Sequence, residues 1–129
     1  MSEKKKILII EDDEVVLISL KRLLELSGFQ VEGIDETKDC LSKIKLLSPQ
    51  IILLDLSMPH LGGLEICEML NNDSATKQIP IIVVSGLIKD EDIKKAYKLG
   101  VMAYFTKPYE FPKLLQEINK ILAYREGAL

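Results

Sequence analysis

Five polar side chains stand just past aliphatic or aromatic runs, and their types are those of phosphoryl chemistry. Glu11 and Asp12 follow Ile7-Leu8-Ile9-Ile10, and Asp55 follows Ile51-Ile52-Leu53-Leu54. Ser85 follows Ile81-Ile82-Val83-Val84, and Lys107 follows Ala103-Tyr104-Phe105-Thr106. Carboxylates held a few ångströms apart repel and raise one another's pKa values, and a divalent cation relieves that repulsion. Oxygen donors, with no Cys or second His at metal-site spacing, suit Mg²⁺, or Mn²⁺ in its place, rather than zinc. A metal, an ammonium, a hydroxyl and a carboxylate nucleophile are the parts of a phosphoryl-transfer site. Neither a Gly-rich phosphate loop nor a Walker sequence follows the first run. Dinucleotide and nucleoside-triphosphate binding are thereby excluded, and the phosphoryl group is expected to end on the protein itself.

Residues almost a hundred positions apart can meet only if the fold collects them at one edge. Short aliphatic runs closed by turn residues read as strands buried on both faces. Gln30 to Ile34 is a shorter, more polar strand for a sheet edge. Between the strands the apolar spacing becomes helical. Val16, Leu20, Leu23 and Leu24 form one such stripe, stopped by Ser27-Gly28, and Leu41, Ile44 and Leu47 form the next, with Thr37 as cap and Pro49 beyond its end. Leu64, Cys67 and Leu70 mark a third helix; Ile93, Ala96 and Tyr97 mark a fourth, between Asp90-Glu91-Asp92 and Gly100. Phe111, Leu114, Leu115, Ile118, Ile121 and Leu122 mark the last. Strands alternating with helices predict a parallel five-stranded sheet between two helical layers. Right-handed crossovers leave Rossmann-like and flavodoxin-like orders, and the polar second strand favours the flavodoxin-like (βα)5 order 2-1-3-4-5. Ligands of such sheets bind outside the carboxyl ends of the strands where the order reverses, here between strands one and three.

At 129 residues, the chain is expected to be a single domain over 1–129 with a folded core of about 5–124 and with no output module after the last helix. Hydrophobic residues at 47% and charged residues at 29% are those of a soluble globular protein. A net charge of −3 argues against direct nucleic-acid binding through phosphate neutralisation. No apolar stretch approaches the roughly 20 residues of a membrane span, and no signal peptide is visible. Cys40 and Cys67 lie in helical patterns as small apolar residues, and the expected compartment is the cytoplasm.

Four segments, in order and at matching spacing, carry a resemblance. They are Ile-Leu-Ile-Ile-Glu-Asp-Asp-Glu at 7–14, Leu-Leu-Asp-Leu-Ser-Met-Pro at 53–59 with Gly63 beyond, Val-Val-Ser-Gly at 83–86, and Ala-Tyr-Phe-Thr-Lys-Pro at 103–108. Over nearly its whole length the chain resembles the receiver domains of two-component response regulators, of the chemotaxis-regulator kind. The resemblance implies that Asp55 accepts a phosphoryl group from the phosphohistidine of a sensor histidine kinase or phosphotransfer protein. Mg²⁺ would be held by Asp12, Asp55 and the Ser57 backbone carbonyl, with Glu11 acting largely through water. Lys107 would pair with the phosphoryl oxygens, Ser85 would move to bond them, and Tyr104 would turn inward. The surface of helix four, strand five and helix five would then change for a downstream protein or fused output domain, or for a homodimer. The Lys107–Pro108 bond is expected to be cis, and the chain is expected not to be a turnover enzyme. Glu11 and Ser85 replace a more frequent Asp and Thr; Ser85 lacks the methyl group that restricts χ1.

Each residue has a plainer reading alone. Glu11 and Asp12 could cap a helix, Lys107 could be a solvated lysine, Ser85 a turn residue and Tyr104 core. His60 sits in a loop without a neighbouring acid and is not read as a phosphorelay donor. Lys94, Lys95 and Lys98 form a solvated face or a dock for an acidic partner. Two rival functions remain: a pseudo-receiver, a fixed interaction module that uses no phosphate, and an aspartyl-phosphate phosphohydrolase. The second wants an acid two residues past the nucleophile, where this chain has Ser57.

Overall fold

The computed structural model describes residues 4–35, 39–58 and 62–125. The strands are β1 (Lys6–Ile10), β2 (Gln30–Ile34), β3 (Ile51–Leu54), β4 (Ile81–Ser85) and β5 (Ala103–Thr106). The helices are α1 (Glu14–Leu26), α2 (Cys40–Leu47), α3 (Gly63–Asn71), α4 (Asp90–Lys98) and α5 (Phe111–Arg125). All pairings are parallel and the order is β2-β1-β3-β4-β5, as the strand composition predicts.

The period-2 alternation of the strands divides the core in two. Leu8, Ile10, Ile52, Leu54 and Val83 face Ile44 of α2, Ile66 and Leu70 of α3, and Ala96 of α4. Ile7, Ile9, Ile51, Leu53, Ile82 and Val84 face Leu20 and Leu24 of α1 and Leu114, Ile118 and Ile121 of α5. Every residue of β3 is buried, so each alternate side chain has a helix layer to enter. Each such Ile or Leu contributes about 1.5–3 kcal/mol by leaving water. Gly28 (φ 99°) after α1 and Gly100 (φ 93°) after α4 take left-handed conformations open to glycine at little cost.

Two helical stripes run differently from the sequence expectation. Leu23 is 43% exposed because α1 turns Leu20 and Leu24 inward, with Leu17 beside them, and Leu23 sits at the edge of that stripe. Tyr97 is 49% exposed: it lies one residue, about 100°, round the helix from buried Ala96. Thr37, expected to cap α2, and His60 lie outside the described residues. No helix among the described residues is long and apolar enough to cross a membrane.

Candidate phosphoacceptor site

Three of the polar residues are fixed by one hydrogen-bonded rung beyond each strand. The Glu11 N–H donates to the Ile34 carbonyl (3.0 Å), Asp55 N–H to Ile10 (3.1 Å) and Lys107 N–H to Ser85 (2.8 Å). The ladder thus carries its register past the core and delivers side chains from β1, β3 and β5 to one rim. Asp13, not Glu11 or Asp12, caps α1: its Oδ1 accepts from the Val16 N–H at 3.2 Å. That leaves both preceding acids for the rim, so the capping reading of Glu11 and Asp12 is set aside. Glu11 Oε2 also accepts from the Asp13 N–H (3.3 Å).

Carboxylate oxygens of Glu11, Asp12 and Asp55 lie within 4.8 Å of one another, the first and last buried and Asp12 exposed. Asp55, 5% exposed, is oriented by its own loop. Its Oδ1 accepts from the Ser57 N–H (3.0 Å) and hydroxyl (2.8 Å), and its Oδ2 faces Lys107 Nζ at 3.5 Å. The same ammonium donates to Glu11 Oε1 at 2.7 Å, so it leans toward the glutamate. Gly63 lets the next helix approach this loop. A Cβ there would lie 2.5 Å from Leu56 Cα and 2.7 Å from the Asp55 carbonyl oxygen, whereas one on Gly62 would meet nothing nearer than 3.8 Å.

The charges respond to these contacts. Burial pushes the Glu11 carboxyl up, and Asp55 adds to this against the opposing pull of Lys107. Burial alone would raise Asp55 too, but the Ser57 N–H and hydroxyl, together with Glu11 and Lys107, hold it below its ordinary range. Burial works against the Lys107 ammonium, yet the Glu11 hydrogen bond and the Asp55 charge outweigh it, and its pKa is raised.

Ser85 is fully buried at the end of β4, and its Oγ accepts from the Leu87 N–H at 3.1 Å. The Tyr104 hydroxyl donates to the Leu87 carbonyl at 2.7 Å. Leu87 therefore bridges Ser85 and Tyr104, and the half-buried phenol already packs against the core layer of α2, α3 and α4. Burial raises the Tyr104 pKa, with the Ser85 hydroxyl opposing. The Lys107–Pro108 peptide is cis, as expected.

Sequence reasoning missed two features. It gave Ser57 a backbone role only, although its hydroxyl is an additional donor to Asp55; the Asp-x-Ser spacing, which permits a local side-chain contact, was the available signal. It also paired Lys107 with a phosphoryl group alone, whereas Glu11 is its nearest anion here; nothing in the local sequence reports a contact spanning 96 positions.

Comparison with known proteins agrees with this geometry. The model of the response regulator receiver domain family matches residues 7–119. The polar-differentiation response regulator DivK of Brucella ovis is 28% identical over 118 residues, covering 92% of this chain and 96% of that protein. The crystal structure of a CheY-like receiver domain protein from Methanospirillum hungatei shares 29% identity with a TM-score of 0.90, covering 98% of this chain and all of that one. Vibrio cholerae CheY4 has the same fold, with a TM-score of 0.85 at 21% identity, over 92% of this chain and 99% of that one. A parallel sheet of order 2-1-3-4-5, an acidic rim at its switch point and a family match spanning most of the chain identify a response regulator receiver domain of two-component systems.

Proposed function

We propose that the chain is a phosphorylation-driven binding switch with Asp55 as acceptor. The observation that carries this reading is the state of Asp55: a buried carboxylate kept ionised by Ser57 and Lys107 beside two further acids. An Asp55 oxygen attacks the phosphorus of a phosphohistidine, the P–N bond breaks, and its electron pair stays on the imidazole nitrogen, which takes up a proton. Receiver domains generally bind Mg²⁺, and the donor set here fits it: oxygen-only, two buried carboxylates and one exposed. Glu11, Asp12, Asp55 and the Ser57 carbonyl would hold the ion, or Mn²⁺ in its place, which when bound supplies charge neutralisation on the phosphoryl oxygens.

Lys107 exchanges its Glu11 partner for the phosphoryl oxygens. Ser85 donates to them and, in moving, releases the Leu87 N–H, loosening the segment that holds Tyr104. The change is read on α4, β5 and α5, where Tyr97 of α4 is exposed, as are Ile88 just before α4 and Met102 just before β5. A downstream protein, a fused output domain or a second copy would bind there. The phosphodonor, a histidine kinase or phosphotransfer protein, would cover exposed Val15 and Ile18 at the start of α1, next to the acidic rim. The chain turns over no small-molecule substrate in this reading and works in the cytoplasm.

Incubation with Mg²⁺ and acetyl phosphate is expected to add one acid-stable, base-labile phosphoryl group, seen by mass spectrometry and lost in Asp55→Asn. No adduct on the wild type would support the phosphorylation-independent interaction module instead. An undiminished adduct in Asp55→Asn would move the acceptor elsewhere.

A further inference from the structure

Between α3 and α4 runs a groove of about 310 Å³ that the phosphoacceptor reading does not use. Leu64 and Leu99, half-buried and packed on the core, form its apolar floor. Exposed Glu65 and Glu68 stand along the α3 wall, and exposed Lys95 and Lys98 along the α4 wall. Each pair is spaced i, i+3, so its two charges lie one above the other on a single helix face. Lys94 and exposed Tyr97 are absent from the walls, so the groove uses a different side of α4 from the one Tyr97 presents.

Among the described residues no ion pair joins the two walls; Lys45 takes Asp73, and Lys107 takes Glu11 and Asp55. The acids and the lysines are nevertheless level with each other. A Cβ built on Gly100 would lie 3.4 Å from Asn71 Oδ1, so the carboxyl ends of the two helices are adjacent. Both helices lead from the carboxyl rim of the parallel sheet back to the start of the next strand, so they run in the same direction. Counting back from Asn71 and Gly100 at a common rise brings Glu68 level with Tyr97 and Lys98, and Glu65 level with Lys94 and Lys95. A two-fold axis running along the groove lays α3 of one chain over α4 of a second and leaves height unchanged. Acids then meet lysines on both walls at once, as a self-complementary contact requires. An axis across the helices would set acid against acid. A partner of a single charge sign would gain at one wall and lose at the other.

We infer that α3 and α4 form a face on which a second copy of this chain docks, with Glu65 and Glu68 of each copy against Lys95 and Lys98 of the other. Leu64 and Leu99 lose their remaining water beneath these pairs. The face is small, so the dimer is a weak one in exchange with monomer. Nothing in this contact requires phosphorylation at Asp55. Sedimentation velocity of the full chain from about 10 µM to 1 mM should show self-association that weakens as salt rises. Lys95→Glu/Lys98→Glu makes both walls acidic, and Glu65→Lys/Glu68→Lys makes both basic. Each double variant should self-associate at least about tenfold more weakly than the wild type, the scale of several exposed charge pairs turned repulsive. Mixing the two variants should restore association as a heterodimer, which a merely damaged fold could not do. A wild type that stays monomeric over the same concentrations, double variants that associate as before, or a mixture that stays monomeric would each overturn the face.

Discussion

At the carboxyl ends of β1, β3 and β5 the chain buries two carboxylates and partly buries an ammonium. At the amino ends of the same sheet it buries an uncharged hydroxyl, Thr76, that serves only to hold a loop. Both rims are tied to the same rigid strands. They differ in what their polar groups are paired with. Thr76 has a carbonyl partner six residues back, at Leu70 near the end of α3, a local and complete solution. Glu11, Asp55 and Lys107 satisfy one another across 52 and 96 positions and crowd like charges together, an arrangement whose cost is sensible only if a ligand relieves it.

The sharpest way to break this contrast is at Gly63. Gly63→Ala must push either the Leu56 backbone or the Asp55 carbonyl aside, an overpacking cost of about 1–3 kcal/mol. It should also slow phosphoryl uptake, because the displaced segment carries Asp55 and Ser57. Gly62→Ala, with 3.8 Å of room, should change stability by no more than about 0.5 kcal/mol. Urea unfolding and acetyl-phosphate labelling of both variants measure the two effects together. Equal stabilities for the two alanines would show that the loop yields easily and does not fix the acceptor.

Metal addition comes next. Mg²⁺ at about 100 times its dissociation constant should stabilise the wild type by about 2.7 kcal/mol, and a chelator should remove that gain. Asp12→Ala should lose most of it at the same Mg²⁺ concentration, since it deletes one carboxylate of the cluster while leaving Asp55 held by Ser57 and Lys107. A thermal shift undiminished in Asp12→Ala would place the ion elsewhere.

Thr76→Val probes the other rim. The Leu70 carbonyl loses its donor in a buried place, which costs about 1–3 kcal/mol. Labelling of Asp55 should be unchanged when the folded fraction is matched. A labelling defect in this variant would mean that the two rims are coupled through the sheet.

How much of this was legible in the sequence follows the same division. Ile51 to Leu54 announces a doubly covered strand because every residue is apolar, and handedness together with the polar second strand favours the strand order, so the rim and its polar residues could be placed together. Leu23 and Tyr97 could not be placed, because at the border of an amphipathic stripe the side chain's fate depends on the angle at which the helix meets the sheet. The Asp13 cap was hidden among four consecutive acids, any of which suits a helix start. The preference of Lys107 for Glu11 over Asp55, 2.7 Å against 3.5 Å, depends on the longer reach of glutamate and on where two strands end in space.

That preference leads to the smallest effect, a slope with pH rather than a step. In metal-free protein the raised Glu11 carboxyl ionises less readily folded than unfolded. Its ionisation therefore subtracts stability as pH rises from the unfolded glutamate value, about 4.3, through the higher folded value. Asp55 works in the opposite sense. Its depressed carboxyl contributes stability above the unfolded aspartate value, about 3.9, and that contribution is lost as pH falls through the lower folded value. Glu11→Gln removes the first titration, while Ser57 and Lys107 still hold Asp55 down. Its stability relative to wild type should therefore climb as pH rises above the unfolded glutamate value, about 4.3, in urea unfolding with a chelator present. The lost ion pair with Lys107 offsets the whole curve downward without removing this climb, because the lysine stays charged while Glu11 titrates. A difference that stays flat with pH would mean that Lys107 fully compensates the burial of Glu11. The acidic rim would then be as self-sufficient as the opposite one, with no strain left for a ligand to relieve.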